Sequence, residues 1–125
     1  MDPKFSQLAH RASFTSDTLL HGKWRVHILC AMCSRPVRLG QLARLIPRAS
    51  KKVLTQNLRD LEATGIVIRK DISDFVLHVE YELSEEFRES VVALLEHLAR
   101  WGDTYLHNGS HKDVKQTGEG PGGGT

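Results

Sequence analysis

The chain has 125 residues, 40% hydrophobic and 26% charged, with a formal net charge of +2 at neutral pH. That suits one domain with a small core that dimerisation would help to complete. Its apolar stretches fall far short of a membrane span. No secretory apolar region follows Met1-Asp2-Pro3-Lys4, and two cysteines without an export signal exclude a disulfide-built secreted scaffold, so the expectation is a cytoplasmic protein.

The charge is unevenly placed. Residues 35–59 hold Arg35, Arg38, Arg44, Arg48, Lys51, Lys52 and Arg59 and no acid, a block of +7. Residues 60–125 carry −7. A positive block this confined is the electrostatic footprint of a polyanion site.

In chain order, residues 4–20 read as a helix with Phe5, Leu8, Ala9 and Ala12 on one side, broken near Ser16 and Asp17. Gly22 to Cys33 is a dense apolar segment, expected to be a buried helix ended by Ser34-Arg35-Pro36. "RLGQLARLI" predicts a short helix with Leu39, Leu42, Leu45 and Ile46 inward, stopped before Pro47. Ser50 then stands at an N-cap position. At about 100° per residue, Leu54, Leu58 and Leu61 share one face of the helix it opens, and Lys52, Thr55, Gln56 and Arg59 share the opposite one. Gly65 ends that helix near its C′ position.

The period then changes. Ile66–Lys70 and Phe75–Leu83 read as strands joined by a "DISD" hairpin turn. From Ser84 a helix is expected to run to about Tyr105. Phe87, Val91, Leu94, Leu98, Trp101 and Tyr105 are spaced 4, 3, 4, 3, 4, a heptad seam. Val92, Leu95, Ala99 and Leu106 make a second stripe, so one stripe can serve the domain's own core and the other a partner. Residues 1–107 are therefore expected as one domain and 108–125 as a disordered Gly-rich tail. The fold class is α+β and mostly α: a winged helix-turn-helix with a two-stranded β wing and dimerisation helices at its two ends.

These pieces, "GKWRVHIL", "RLGQL", "IPRASKKVLTQNLRDLEATGIVIR", "VEYELS" and Trp101 in order, resemble the HxlR-type winged helix-turn-helix transcription regulators, relatives of the MarR group. The resemblance covers roughly residues 19–101. It implies a prokaryotic, dimeric regulator that binds double-stranded DNA, with a recognition helix opening at Ser50 and a dimer built from the first and last helices. The interface residues so implied are Phe5, Leu8, Phe87, Val91, Leu94, Leu98, Trp101 and Tyr105. The sequence departs from the family pattern at Leu39, His21 and Phe87, where phenylalanine, glycine and glycine are usual. Its wing tip holds Asp71 and Asp74 in place of basic residues, which puts the usual wing contact in doubt; His78 is the wing residue retained as a DNA contact. No cysteine precedes Cys30, so the family's N-terminal thiol sensor does not carry over.

The chemistry expected of the site follows from the residue types. Lys52 and Arg59 can donate to guanine O6 and N7, Gln56 can pair with adenine, and Thr55 can meet a thymine methyl or a phosphate. Ser50 and Lys51 suit phosphate at a helix N-terminus. Arg38 and Gln41 would position the backbone. Cys30 and Cys33 form Cys-Ala-Met-Cys, read first as two small buried core residues. His107 and His111 could share a helix face, but no further ligands support a metal. No catalytic constellation, cofactor loop or metal cluster is evident, so no enzyme, cofactor or metal is expected, and the pattern names no small-molecule effector. Two other readings stand beside DNA regulation: a thiol-based redox or electrophile sensor using Cys30 and Cys33, and a winged-helix interaction module that binds no DNA.

Overall fold

The structure, a computed structural model, describes residues 3–109. The element order is α1 (Pro3–Leu19), α2 (Arg25–Ala31), α3 (Leu39–Leu45), α4 (Lys51–Ala63), β1 (Val67–Asp71), β2 (Val79–Leu83) and α5 (Glu85–Gly109). This is the expected winged helix-turn-helix: mostly helical, with β1 and β2 as one antiparallel pair that matches Val67 with Leu83 and Asp71 with Val79.

Among the described residues, 3–92 belong to one compact unit and 93–109 to a second. The core of the first is built from α2, α3, α4 and the hairpin: Ile28, Leu29, Met32, Leu42, Leu54, Leu58, Leu61, Val67 and Leu83 are almost completely buried. Each such leucine contributes about 1.5–3 kcal/mol by leaving water. Val37 adds a one-residue bridge to the sheet, exchanging backbone bonds of 2.8 and 2.7 Å with Tyr81. That bridge fixes α3 against the wing.

Several expectations are corrected. Helix α1 is not broken at Ser16; it runs to Leu19. Thr15 bonds back to the Arg11 carbonyl (3.3 Å), so its hydroxyl is satisfied without leaving the helix. In α3, Leu45 does not point inward but is 63% exposed. Leu42 and Ile46 fill the core, and Leu45 lies on the flank, about 60° from Leu42 around the helix. The hairpin connection is longer than "DISD". Phe75, Val76 and Leu77 are outside β2, because the Ile72 N–H closes onto the His78 carbonyl (2.8 Å) and the Ser73 hydroxyl accepts the His78 N–H (2.7 Å).

Helix α5 continues two residues past the expected end of the domain, to Gly109. Weak helix formers such as Asn108 are tolerated in the last turn of an established helix. The rest of the expected tail, 110–125, lies outside the described residues. The two apolar stripes of α5 are not shared out as expected. Val91, placed on the dimer seam, is 3% exposed and belongs to the core, whereas Leu98, Trp101, Tyr105 and Leu106, drawn from both stripes, are exposed.

Candidate nucleic-acid interface

Helix α4 is fixed at both ends by its own sequence. The Ser50 hydroxyl accepts the Val53 N–H at 3.1 Å, an N-cap. At the other end Gly65 has a φ of +82° and returns its N–H to the Glu62 carbonyl at 3.0 Å. This left-handed position is the one that glycine occupies without strain. Between these ends Leu54, Leu58 and Leu61 are buried, and Lys51, Lys52, Gln56 and Arg59 are exposed, with Thr55 half-buried beside them. The wheel reading of this helix therefore matches the burial of its three leucines and the exposure of Lys52, Gln56 and Arg59, with Thr55 at the margin.

The charge order on α4 breaks a local rule. No acid occupies its first turn, and Lys51 and Lys52 sit at the positive end of the helix dipole. Each such placement costs about 0.3–1 kcal/mol relative to an acid in the same turn. A bound anion would reverse that cost, because the uncapped N–H groups and the nearby ammoniums would then meet an opposite charge.

Gln56 is not loose. Its Nε2 donates to Asp60 Oδ1 at 3.0 Å, and Asp60 Oδ2 accepts from Arg25 Nη2 at 3.1 Å. Arg25, on α2, is 5% exposed and also donates to Asn57 Oδ1 (3.0 Å) and the Thr18 carbonyl (3.2 Å). Sequence reading missed Arg25, Asn57 and Asp60. The available signal was one cation inside the apolar run "WRVHIL", which must find an acceptor if that run is buried.

On α3, the Gln41 side-chain Oε1 accepts the Arg38 backbone N–H at 2.8 Å and so shapes the start of that helix. Arg38 is exposed. Arg35, Gln41 and Arg44 line one open groove of about 400 Å³ together with Ala31, Val37 and Leu45. Arg35 and Arg44, which sequence reading counted in the positive block without a role of their own, thus stand beside Gln41 on one surface.

The wing is poorly matched to phosphate. Ser73, through its hydroxyl and its backbone N–H, holds the Asp71 carboxyl below the usual carboxylate range. Lys70 is not displayed as a free cation: it pairs with Glu82, whose hydrogen bond and charge hold the ammonium above its usual value. The His78 ring Nε2 lies 2.9 Å from Glu80 Oε2. The tip is apolar, with Phe75 wholly exposed and Val76 and Leu77 about three-quarters exposed.

The cysteines are not both buried, contrary to expectation. Cys30 is exposed and Cys33 is half-buried, its thiol 3.6 Å from the Leu29 carbonyl. Ile28, Leu29 and Met32 take the inner side of this short segment, which turns Cys30 outward. Cys30 lies in a shallow apolar groove with Val26, His27, Ala31, Leu45 and Ile46. Partial desolvation there pushes its thiol above the usual value. Among the described residues no group of three or more His, Cys, Asp and Glu could hold a metal ion; His111 lies outside them.

Of the residues expected at a dimer interface, Phe5, Leu8, Leu98, Trp101 and Tyr105 are exposed. Phe5 and Leu8 on α1 are more than half exposed, and α1 buries none of its residues. On α5, Trp101 stacks on Tyr105 at 5.4 Å between ring centroids, 68% and 50% exposed. Phe87 and Leu94 are half-buried.

Comparison with known proteins agrees with this geometry. The family described as HxlR-like helix-turn-helix matches residues 19–110. The uncharacterized HTH-type transcriptional regulator YtcD of Bacillus subtilis (strain 168) is 38% identical over 89 residues, 71% of this chain and 70% of that protein. A solved MarR-family transcriptional regulator from Enterococcus faecalis V583 superposes with a TM-score of 0.72 at 26% identity, covering 89% of this chain and 94% of its own. The redox regulator HypR in its reduced form gives 0.70 at 30% identity, covering 76% and 92%.

Proposed function

The chain belongs to the HxlR-like helix-turn-helix family of transcription regulators, and from that premise we propose that it acts as a homodimer whose paired α4 helices read an inverted repeat in the major groove of DNA. The observation that carries this reading is the face of α4. Three buried leucines fix the helix, and opposite them Lys52, Gln56 and Arg59 are exposed with Thr55 beside them. Lysine and arginine donate to guanine, and glutamine pairs with adenine. Ser50, Lys51, Arg38, Arg35 and Arg44 take the phosphates on either side.

The dimer is proposed through α1 and the end of α5, where apolar side chains are exposed. Two-fold symmetry then presents two α4 helices to one side of the duplex. No helix among the described residues is long and apolar enough to cross a membrane. The regulator is proposed to work on DNA in the cytoplasm, without catalytic activity. The wing is given a small part, because its aspartates repel phosphate and the imidazole of His78 is engaged by Glu80. A thiol switch through Cys30 and Cys33 is not adopted: desolvation raises the Cys30 thiol, which lowers its thiolate fraction and its reactivity.

Selection of bound sequences from a random duplex pool tests the proposal. The expected result is an inverted repeat whose half-sites lie one helical turn apart, about 10 to 10.5 bp, or a multiple of it. Recovery of sequences without any common half-site would contradict it.

A further inference from the structure

Arg25 is a cation in the core, 5% exposed. It spans the end of α1 and two side chains of α4 through its bonds to Thr18, Asn57 and Asp60. An apolar residue could join α2 to α4 without desolvating a charge, and such replacements of buried ion pairs are often neutral or stabilising. What an apolar residue cannot do is orient Asp60.

That orientation reaches the exposed face of α4. Asp60 uses one oxygen for Arg25 and the other for the side-chain nitrogen of Gln56. A carboxylate offers acceptors only. Of the two flips open to the Gln56 amide, the one that turns NH₂ toward Asp60 is therefore favoured, because the other sets oxygen against oxygen. One N–H is spent on Asp60. The second N–H and Oε1 remain, with a fixed polarity. A donor beside an acceptor is the pattern that pairs with N7 and the amino group of adenine. A long exposed side chain that is held this way also gives up less freedom on binding.

The geometry points to Arg25, acting through Asp60, as a positioning residue that sets the base preference of Gln56 toward adenine. The inference rests on the reading that α4 enters the major groove. It adds that the specificity of one position is set by a residue in the core that touches no DNA.

The test uses the full-length protein and a duplex carrying the selected operator, with all four base pairs placed in turn at the position where Gln56→Ala relaxes preference. Wild type should prefer adenine by about 5- to 150-fold, the worth of one bidentate pairing. Asp60→Ala should relax preference at that same base pair and at no other. The double variant Asp60→Ala, Gln56→Ala should be no worse than Gln56→Ala alone, because both changes remove the same interaction. Asp60→Asn, which can present either an oxygen or an NH₂, should also abolish the preference while keeping the shape of the side chain. Arg25→Gln should have the same effect.

A general decrease in stability would lower all affinities together and leave the ratio between bases unchanged. Asp60 is 48% exposed in its side chain, so its variants keep the test open where Arg25→Gln fails to fold. Folded Asp60→Ala and Asp60→Asn proteins with wild-type adenine preference would overturn the inference while the groove reading stands. If folded Gln56→Ala itself changes preference at no base pair, the reading of α4 through Gln56 fails, and the inference fails with it.

Discussion

The Ser50 hydroxyl lies 3.1 Å from the Val53 N–H, and this one bond separates two roles of the same residue. As an N-cap it stabilises α4; as an exposed hydroxyl beside Lys51 it can meet phosphate. Ser50→Ala should cost about 1 kcal/mol of stability, read from denaturant melts. Ser50→Asp should keep the cap and gain from the helix dipole, so its stability should match or exceed wild type. Its DNA affinity should nevertheless fall, since the new carboxylate faces phosphate. Unchanged affinity in Ser50→Asp would remove Ser50 from the interface.

Lys51 should contribute charge without sequence information. Lys51→Ala should weaken operator and random duplexes by the same factor. It should also lower the slope of log affinity against log salt by about 1 for each phosphate that the ammonium neutralises. Its melting temperature should not fall, because the ammonium opposes the helix dipole. A weakening confined to the operator would mean that Lys51 reads bases.

The exposed aromatic pair on α5 predicts association. Wild type should be a dimer at micromolar concentration by light scattering, and Leu98→Glu with Trp101→Glu should give a folded monomer. Of the positions on the heptad seam, Leu94 is half-buried while Leu98 and Trp101 are exposed, so these two are the cleaner sites to change. A monomeric wild type would contradict the dimer, and with it the inverted repeat.

Cys30 and Cys33 should be dispensable. The double serine variant should bind the operator within about threefold of wild type, as expected of partly exposed positions outside the interface, before and after mild peroxide. Native protein should label at Cys30 with a thiol reagent, slowly at neutral pH because the raised thiol is largely protonated, and faster as pH rises. Peroxide-triggered release from DNA that vanishes in the variant would establish a sensor in its place.

The wing tip should hinder DNA binding. Ser73 holds the Asp71 carboxyl below the usual carboxylate range, which favours its charged form. Asp71→Asn with Asp74→Asn should therefore tighten binding to random duplexes at neutral pH, most at low salt. Phe75→Ser should leave operator affinity unchanged. A weaker Asp71→Asn, Asp74→Asn protein would show that the acidic tip touches DNA in its own right.

The helix that carries the proposed function was legible in the sequence because its signals agree. A cap residue, a leucine period, a terminal glycine and a charge block all fix the same span and the same face. Where signals competed, tertiary context decided. Ser16 and Asp17 read as a break, but α1 continues past them to Leu19. Leu45 carries the same chemistry as Leu42, and only the packing of Ile46 shows which of them the core can take. Cys30 and Cys33 lie in an apolar run whose inner side was already filled by Ile28, Leu29 and Met32. The link from Arg25 to Asp60 spans 35 residues and no local period marks it, so the cation inside "WRVHIL" was its only sequence signal; Gln56 and Asp60, four apart on α4, were readable as a helical pair. On α5 the spacing revealed two apolar stripes but not that Val91 would be taken by the core.

The claim that α4 reads DNA is tested most directly by replacing Gln56 and Arg59 singly with alanine. Both are exposed and lie opposite the leucines, so circular dichroism should show folded proteins. The measurement is affinity for the selected operator and for a random duplex, across salt. Each variant should bind the operator about 1–3 kcal/mol more weakly and relax preference at one base pair per half-site. Gln56→Ala should leave the random duplex nearly unaffected. Folded variants that keep wild-type operator affinity and base preference would contradict the claim and show that another surface does the reading.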